Sequence, residues 1–406
     1  MNTKPLPLSS IELYDLIARE IPSLTALRRK LHEHPDLMFE ETFAQGLIAE
    51  ELSALGIPFE KGIAGTGIAG IIETPGAPEN SPATGLRADM DALPLQEETG
   101  APWASREPGK MHACGHDGHV TMLIGAARVL SAAREKLPRP VKLIFQPGEE
   151  GGMGALKMLE EGVLTEKVCR HPVDTMFALH GYPYGDAGHL YIKPGSMFAA
   201  VDDYEVTFHG RGGHGSMPHN TVDPVVAIAQ AVVSLQTIVS RNVDPLHPAV
   251  ITVGHLAAGQ KSNIIPGSAV LSATIRTFAP QIRELVTKRF HEVMEHTAQA
   301  FGCSTSIEHT VFCPVTNNSE DITRHVMAFA RGLLGSEKVH LMEAPCTGSE
   351  DFAFFCNNVP SAIAFLGLRP EDAATFPDLH NPHFDFNDHV LAHGIGLLCA
   401  FALSGH

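Results

Sequence analysis

Residues 141–152 read VKLIFQPGEEGG. A short apolar run ends on a proline–glycine turn, and the turn delivers two adjacent carboxylates, Glu149 and Glu150, with glycines on both sides. An apolar run of this length without polar alternation suits a strand buried on both faces, as in the parallel sheets of α/β proteins. Two acids placed after such a strand can divide labour, one holding a cation while its neighbour takes a proton from an attacking water. The plainer alternative is a pair of solvated acids opening a helix, which the helix dipole favours. The flanking glycines weigh against it, because they imply a close approach to something.

Working outward, comparable short apolar runs occur at 67–72 (GIAGII), 84–88 (TGLRA) and 175–179 (TMFAL). Longer helical patterns lie around them, such as 120–133. Ser9 and Glu12 have capping-box spacing at the start of a helix whose apolar residues recur from Ile11, and Pro22 is expected to kink or split that helix. A second helix is expected from about residue 40 to Gly56. The alternation predicts an α/β fold with a largely parallel or mixed sheet and helices on both faces. Asp89 and Asp91 follow TGLRA, and His180 follows TMFAL. Open α/β sheets bind ligands outside the carboxyl ends of their strands, so three strand ends bearing acids or histidine point to one site.

From about residue 199 the pattern changes. A strand (DDYEVTFHG) leads through a glycine-rich turn to a helix at 223–240. Two strands follow (AVITVGHL, SAVLSATIRTF), then a helix at 280–300 and a strand at 305–312. This βαββαβ order is that of a ferredoxin-like α+β unit, which can stand as a small domain of its own. After it the α/β pattern resumes. The chain shows no internal repeat.

The 406 residues carry 29 basic and 46 acidic side chains, a net charge of -17, which repels a polyanion and argues against nucleic acid as a partner. The amino-terminal stretch lacks the apolar core of a signal peptide. No run of eighteen apolar residues occurs, so no membrane span is expected. The seven cysteines are odd in number and scattered, unlike a disulfide framework. These features together predict a cytoplasmic protein.

Residues 112–119 read HACGHDGH. Spacing of two lets Cys114 and His116 meet one cation from a tight loop, and thiolate plus imidazole suits zinc, manganese, nickel or cobalt. A structural loop with a buried cysteine is as good a reading of the pair alone. A nucleophilic cysteine would need a histidine base and an oxyanion hole, neither of which the sequence identifies. His180 in ALHGYP and His380 in DLHNPHFDFND are further candidates, although 23 histidines in the chain supply many by chance.

Taken together, RADMDALP (87–94), HACGHDGH (112–119), QPGEEG (146–151), ALHGYP (178–183), GRGGHGSMPH (210–219), SNIIPG (262–267), GSEDF (348–352) and LHNPHFDFND (379–388) resemble the M20 metallopeptidase family. The resemblance is strongest to its amidohydrolase branch of hippurate and indoleacetyl-amino-acid hydrolases. It implies two divalent ions (Mn, Zn, Ni or Co) held by Cys114, His116, Glu150, His180 and His380, with Glu149 as general base. Asp89 stands where many relatives carry a ligand histidine and is expected to act behind the ligands. His112, Asp117 and His119 receive no metal role. The resemblance further implies a catalytic domain in two parts, 1–198 and 313–406, interrupted by a lid and dimerisation domain at 199–312. His214 would bond the oxyanion, and Asn263 and Arg276 would hold the substrate carboxylate. Two dications bring four positive charges against two negative ones from Cys114 and Glu150, which suits an acidic N-acyl amino acid substrate. A homodimer, or a higher homo-oligomer, is expected. Competing readings are a dipeptidase or N-acetyl amino-acid deacetylase of the same family, and a non-catalytic metal-binding scaffold. The scaffold has no use for a free base beside the metal.

Overall fold

The computed structural model describes residues 6–405. Residues 1–5 and 406, which the expected catalytic domain includes, lie outside the described residues. The chain divides into two compact units. The larger comprises residues up to 197, 317–344 and from 351 onward, and the smaller comprises 198–316 with 345–350.

In chain order the larger unit begins with α1 (Ser10–Glu33), α2 (Thr42–Ala54), β1 (Phe59–Ile63), β2 (Gly67–Ile72), β3 (Ala83–Asp89), α3 (His116–Ala132), β4 (Val141–Gln146), β5 (Val173–Asp186) and β6 (Leu190–Ile192). The smaller unit supplies β7 (Ala200–His209), α4 (Pro224–Asn242), β8 (Ala249–Ala258), β9 (Ser268–Thr277), α5 (Pro280–Ala300) and β10 (Ser304–Cys313). The larger unit resumes with α6 (Glu320–Leu334), β11 (Val339–Leu341), β12 (Ser361–Arg369) and α7 (Leu391–Ser404).

The sheet of the larger unit is mixed, in the order β1-β2-β4-β3-β5-β12-β6-β11. Its centre, β4-β3-β5-β12, is parallel. Of these, β3, β4 and β12 are buried along nearly their whole length, and β5 over its middle, Met176–Gly181. Helix α1 packs on α3 and α7, and its apolar stripe (Leu13, Ile17, Leu24, Leu27, Leu31) is buried. Pro22 does not split α1 into two elements: the helix runs from Ser10 to Glu33 with Pro22 inside it. The buried stripe on both sides of the proline holds the turns together despite the missing N–H. The capping box of Ser9 and Glu12 is present.

The register of the parallel strands assembles the site. Asp89 at the end of β3 pairs with Gln146 at the end of β4, and Arg87 pairs with Ala178 of β5. Asp89, the turn bearing Glu149, and His180 therefore arrive at one edge. The sequence suggested that His180 follows its strand. Instead β5 runs on to Asp186, paired with β12 through Phe365↔His180. The apolar run marked only the doubly buried part of a longer strand.

The smaller unit has an antiparallel sheet, β8-β9-β7-β10, with α4 and α5 packed on one face. Its βαββαβ order and strand arrangement are ferredoxin-like. Helix α4 has the length and composition that a membrane span would need, as a core helix of a folded domain also can. It buries Ala227, Ile228, Ala231, Leu235 and Ile238 in the core of this unit while leaving Val225, Val226 and Val233 exposed. An amphipathic packing helix accounts for both faces.

Candidate metal centre

Three short segments of the larger unit, together with His180 on β5, bring the donors together. Gly115, at φ 86°, turns the chain in the left-handed region so that Cys114 and His116 stand on either side of the α3 start. The turn after β4 presents Glu149 and Glu150. The loop before α7 presents His380, itself at a positive φ of 61°, and the His380 N–H donates to the Ala113 carbonyl at 2.8 Å. That bond ties the His380 loop to the cysteine segment.

The donor atoms of Cys114, Glu150 and His380 lie within 4.8 Å of one another, as do those of His116, Glu149 and Glu150. Cys114 Sγ is 3.6 Å from His180 Nε2, and His380 Nε2 is 3.0 Å from Glu150 Oε1. All five expected ligands and Glu149 thus converge in one cluster, buried except at His380, which is exposed, with Glu150 common to both triads. Glu149 is only 9% exposed, and its Oε1 accepts from the Asp351 N–H at 3.4 Å.

Hydrogen bonds set the histidine tautomers. His116 Nδ1 donates to the Asp91 carbonyl at 2.8 Å, and His180 Nδ1 donates to the Gly181 carbonyl at 2.9 Å. Each ring therefore turns its Nε2 toward the cluster. His116 Nε2 is buried and has no hydrogen-bond partner among the described residues. A buried orphan nitrogen is costly, and a cation is its natural partner; the neighbouring thiol and carboxylates complete a donor set suited to divalent transition metals. The electrostatics agree. Burial opposes charge on His116, yet Asp89, Asp91 and Glu150 overcome it and raise the ring to about 10, so a proton stands where a cation fits. Burial, then Glu150, Glu149 and Asp89, push the Cys114 thiol well above its usual range. Burial and His119 lower His180 to about 3, keeping it neutral. A thiol so surrounded by acids is a poor free nucleophile.

Several residues without an assigned role in the sequence prove to hold the cluster. The Asp91 carboxylate accepts the backbone N–H groups of Glu149 and Glu150 at 3.0 and 2.9 Å, which fixes the turn carrying both acids. His119 bridges two site elements: its Nδ1 lies 2.6 Å from Asp89 Oδ1, and its Nε2 accepts the Gly181 N–H at 2.8 Å. Since Nε2 accepts, Nδ1 donates, and both ring nitrogens are engaged. Asp89 stands behind the donors, 3.8 Å from His116 Nε2, and is anchored by Arg87. Buried Arg87 also binds Gln146 and Asp351. The i, i+3 spacing of His116 and His119 on one helix was the available signal that they share a face. Asp117 faces the other way, to His32 at 2.7 Å and to Arg28. His112 is buried near it, and burial lowers it to about 3.

His214, Asn263 and Arg276 belong to the smaller unit. His214 and Asn263 are neighbours there, since Gly215 N–H donates to the Asn263 carbonyl and His214 pairs with Ile264. His214 is exposed, its Nδ1 accepting from the Ser216 N–H at 3.1 Å. Arg276 lies near the other end of β9, bonded to Thr274 Oγ1. About 27 Å of strand, at 3.4 Å per residue, separates it from Ser268, beside the His214 turn.

Comparison with known proteins agrees with this geometry. The model of the peptidase family M20/M25/M40 matches residues 85–404. An IAA-amino acid hydrolase of Arabidopsis thaliana is 39% identical over 389 residues, covering 94% of this chain and 84% of the relative. The hippurate hydrolase of Campylobacter jejuni is 37% identical over 377 residues, covering 93% and 95% respectively. Among solved structures, a dinuclear metal-binding M20 peptidase of Bacillus subtilis superposes with a TM-score of 0.80 at 30% identity, covering 95% of this chain and 98% of that one.

Proposed function

The chain belongs to peptidase family M20/M25/M40, and from that premise we propose that it is a metal-dependent amidohydrolase that cleaves the amide bond of N-acyl amino acids. One observation carries the reading: Cys114, His116, Glu150, His180 and His380 converge from separate segments while the carboxylate of Glu149 stands beside them. These five residues would hold two divalent cations, with Mn, Zn, Ni and Co all suited to the donor set. When bound, such ions polarise an amide carbonyl and make a water acidic near neutral pH. Glu149, held in place through Asp351 and the Asp91 clamp, takes the proton of the attacking water and passes it to the leaving amine. The products are a carboxylic acid and an amino acid.

We assign the smaller unit as lid and dimerisation domain. Strand β8 is an edge of its sheet, and exposed Val250 and Leu256 on it, with Val226 and Val233 on α4, offer an apolar surface for two-fold pairing. His214 would bond the oxyanion. Asn263 and Arg276 would grip the substrate carboxylate, but one chain cannot supply both to one carboxylate when a strand length separates them. The clamp therefore calls for His214 and Asn263 from one subunit and Arg276 from its partner. All seven cysteines are free thiols, which favours a reducing, cytoplasmic setting.

The test is hydrolysis of hippurate by metal-stripped protein reconstituted in turn with Mn, Zn, Co and Ni. Turnover that requires metal, at about two ions per chain, is expected. Metal binding without turnover on any N-acyl amino acid or dipeptide in a panel would leave only the scaffold reading.

A further inference from the structure

The turn that carries Glu149 and Glu150 is held by two carboxylates, only one of which the site description has used. The N–H groups of Glu149 and Glu150 donate to Asp91, and the N–H of Gly148, next before them, donates to Glu41 Oε1 at 2.9 Å. Glu41 is fully buried and comes from a segment 107 residues earlier in the chain.

Glu41 stands at the N-cap of α2, where a side chain ordinarily bonds the free N–H groups of its own helix. It makes no such bond. Asp36 does that work instead, its Oδ2 accepting the Phe43 N–H at 2.7 Å. Glu41 is thereby free to reach across the fold. Its Oε1 takes Gly148, and its Oε2 takes the hydroxyl of Thr66, in the turn between β1 and β2. The Thr66 carbonyl is tied back to α2 by Gln45 Nε2 at 2.7 Å. The same segment also touches the other clamp, because the Asp36 carbonyl accepts the N–H of Ala92, next to Asp91, at 2.8 Å. Gly148 has φ 59°, and a Cβ there would lie 2.7 Å from the ring of Phe39, so this stretch packs directly on the turn. A buried N–H needs a partner, but a backbone carbonyl would serve. Burying an acid is costly; in return, a carboxylate holds an N–H more strongly than a neutral oxygen does.

We propose that Glu41 is a positioning residue for the hydrolysis. Through Gly148 it fixes the start of the turn, as Asp91 fixes its middle, and the two together aim the carboxylates of Glu149 and Glu150. Glu41 touches neither the donors nor the substrate and acts only through the backbone it holds. Its effect on turnover rests on the hydrolase reading above, whereas its effect on the turn and on metal affinity does not.

Glu41→Leu and Glu41→Gln proteins are compared with wild type. Leucine fills the space without an acceptor. Glutamine keeps an oxygen for Gly148 and can give its amide to the Thr66 hydroxyl. At saturating metal, Glu41→Leu should lower kcat by about 10–10²-fold, the range for a misplaced group, with KM within about twofold of wild type. It should weaken metal binding about tenfold, yet still take up about two ions per chain at saturation. Hydrogen–deuterium exchange should rise about tenfold in the turn, residues 147–153, and stay unchanged in β3 and β12. Glu41→Gln should recover turnover to within about threefold of wild type, since a neutral oxygen is the weaker acceptor. Should Glu41→Leu fail to fold, Glu41→Asp, too short to span Gly148 and Thr66 together, carries the same comparison against Glu41→Gln. Three results overturn the proposal: wild-type turnover and turn exchange in a folded Glu41→Leu protein, exchange that rises throughout the larger unit as for a purely structural tie, or a Glu41→Gln protein as impaired as Glu41→Leu. If wild type itself hydrolyses no N-acyl amino acid, the hydrolase reading fails, and turn exchange with metal affinity still decides for or against Glu41.

Discussion

Two segments of this chain look alike on paper. HACGHDGH (112–119) and GRGGHGSMPH (210–219) are both rich in glycine and histidine. In the first, His116 and His119 are buried and their ring nitrogens are aimed by named partners. In the second, His214 is exposed and rests on Ser216, a near neighbour in its own turn. The first segment is finished within one chain. The second lacks the surroundings that would fix its ring, which suits a residue completed by another subunit or by substrate. Burial and second partners, more than residue type, distinguish a preorganised ligand set from one that is assembled on demand.

The largest break in that comparison is expected inside the finished site. Glu149→Gln should lower turnover by about 10²–10⁴-fold, the usual worth of a general base, with metal content unchanged. Glu150→Gln, which removes a donor common to both triads, should lose metal as well. Equal metal loss in both variants would remove the division of labour between the two acids.

The unfinished segment gives the next effect. His214→Ala should cost about 10²–10³-fold in turnover, as for an oxyanion donor, without changing metal content. Co-expressing His214→Ala with Glu149→Gln chains tests whether the histidine works across a dimer. Half the dimers are mixed, and with a trans histidine one site in each has both residues intact. About a quarter of wild-type activity should return from two nearly inactive parents. If His214 serves its own chain, none returns.

A third prediction exploits the proton held by the finished site. His116 is raised to about 10 and Cys114 lies well above its usual range, so both are protonated at neutral pH without metal. His180, lowered to about 3, carries no extra proton. A cation bound by both groups must displace about two protons, and its apparent affinity should rise about a hundredfold per pH unit while pH stays below both values. Proton release followed with an indicator dye during metal addition checks the count. A rise of only about tenfold per pH unit from pH 6 to 8 would mean that one of the two is no ligand, and a flat affinity that neither is.

Much of this was legible in the sequence, for reasons that also explain what was not. The apolar runs at 67–72, 84–88 and 141–145 appear as strands because strands buried on both faces, parallel or not, need apolar side chains on both sides and their composition says so. The βαββαβ order emerged because its elements are amphipathic with distinct periods. Pro22 does not split its helix because local propensity is overridden when a long helix is buried on both sides of the proline. The extent of β5 was missed because its outer half, GYPYGD, mixes glycine and proline with aromatics and is held by β12, a partner far away in sequence. The candidate donors that converge could be named from the motifs. The residues that aim them could not, since Asp91, Arg87 and His119 act through bonds to Glu149, Asp351 and Gly181 that only the folded chain makes.

His119 offers the smallest effect and the finest test of the comparison. The structure gives it two duties: Nδ1–H holds Asp89, and Nε2 receives the N–H of Gly181, whose carbonyl in turn orients His180. An asparagine places its amide near the former Nδ1, so His119→Asn can keep the bond to Asp89 while leaving the Gly181 N–H buried and unpaired. A glutamine reaches to the former Nε2, so His119→Gln can keep Gly181 and release Asp89. If His119 acts by aiming its neighbours, each variant should weaken metal binding by about tenfold, the lower end for a residue behind the ligands. Both should still take up about two ions per chain at saturating metal. If His119 were itself a ligand, as its place beside Asp89, His116 and His180 also allows, both variants would lose an ion outright. Isothermal titration with stoichiometry by elemental analysis separates the two outcomes. A loss confined to His119→Asn would place the weight of the contact on Gly181 and His180, and a loss confined to His119→Gln would place it on Asp89.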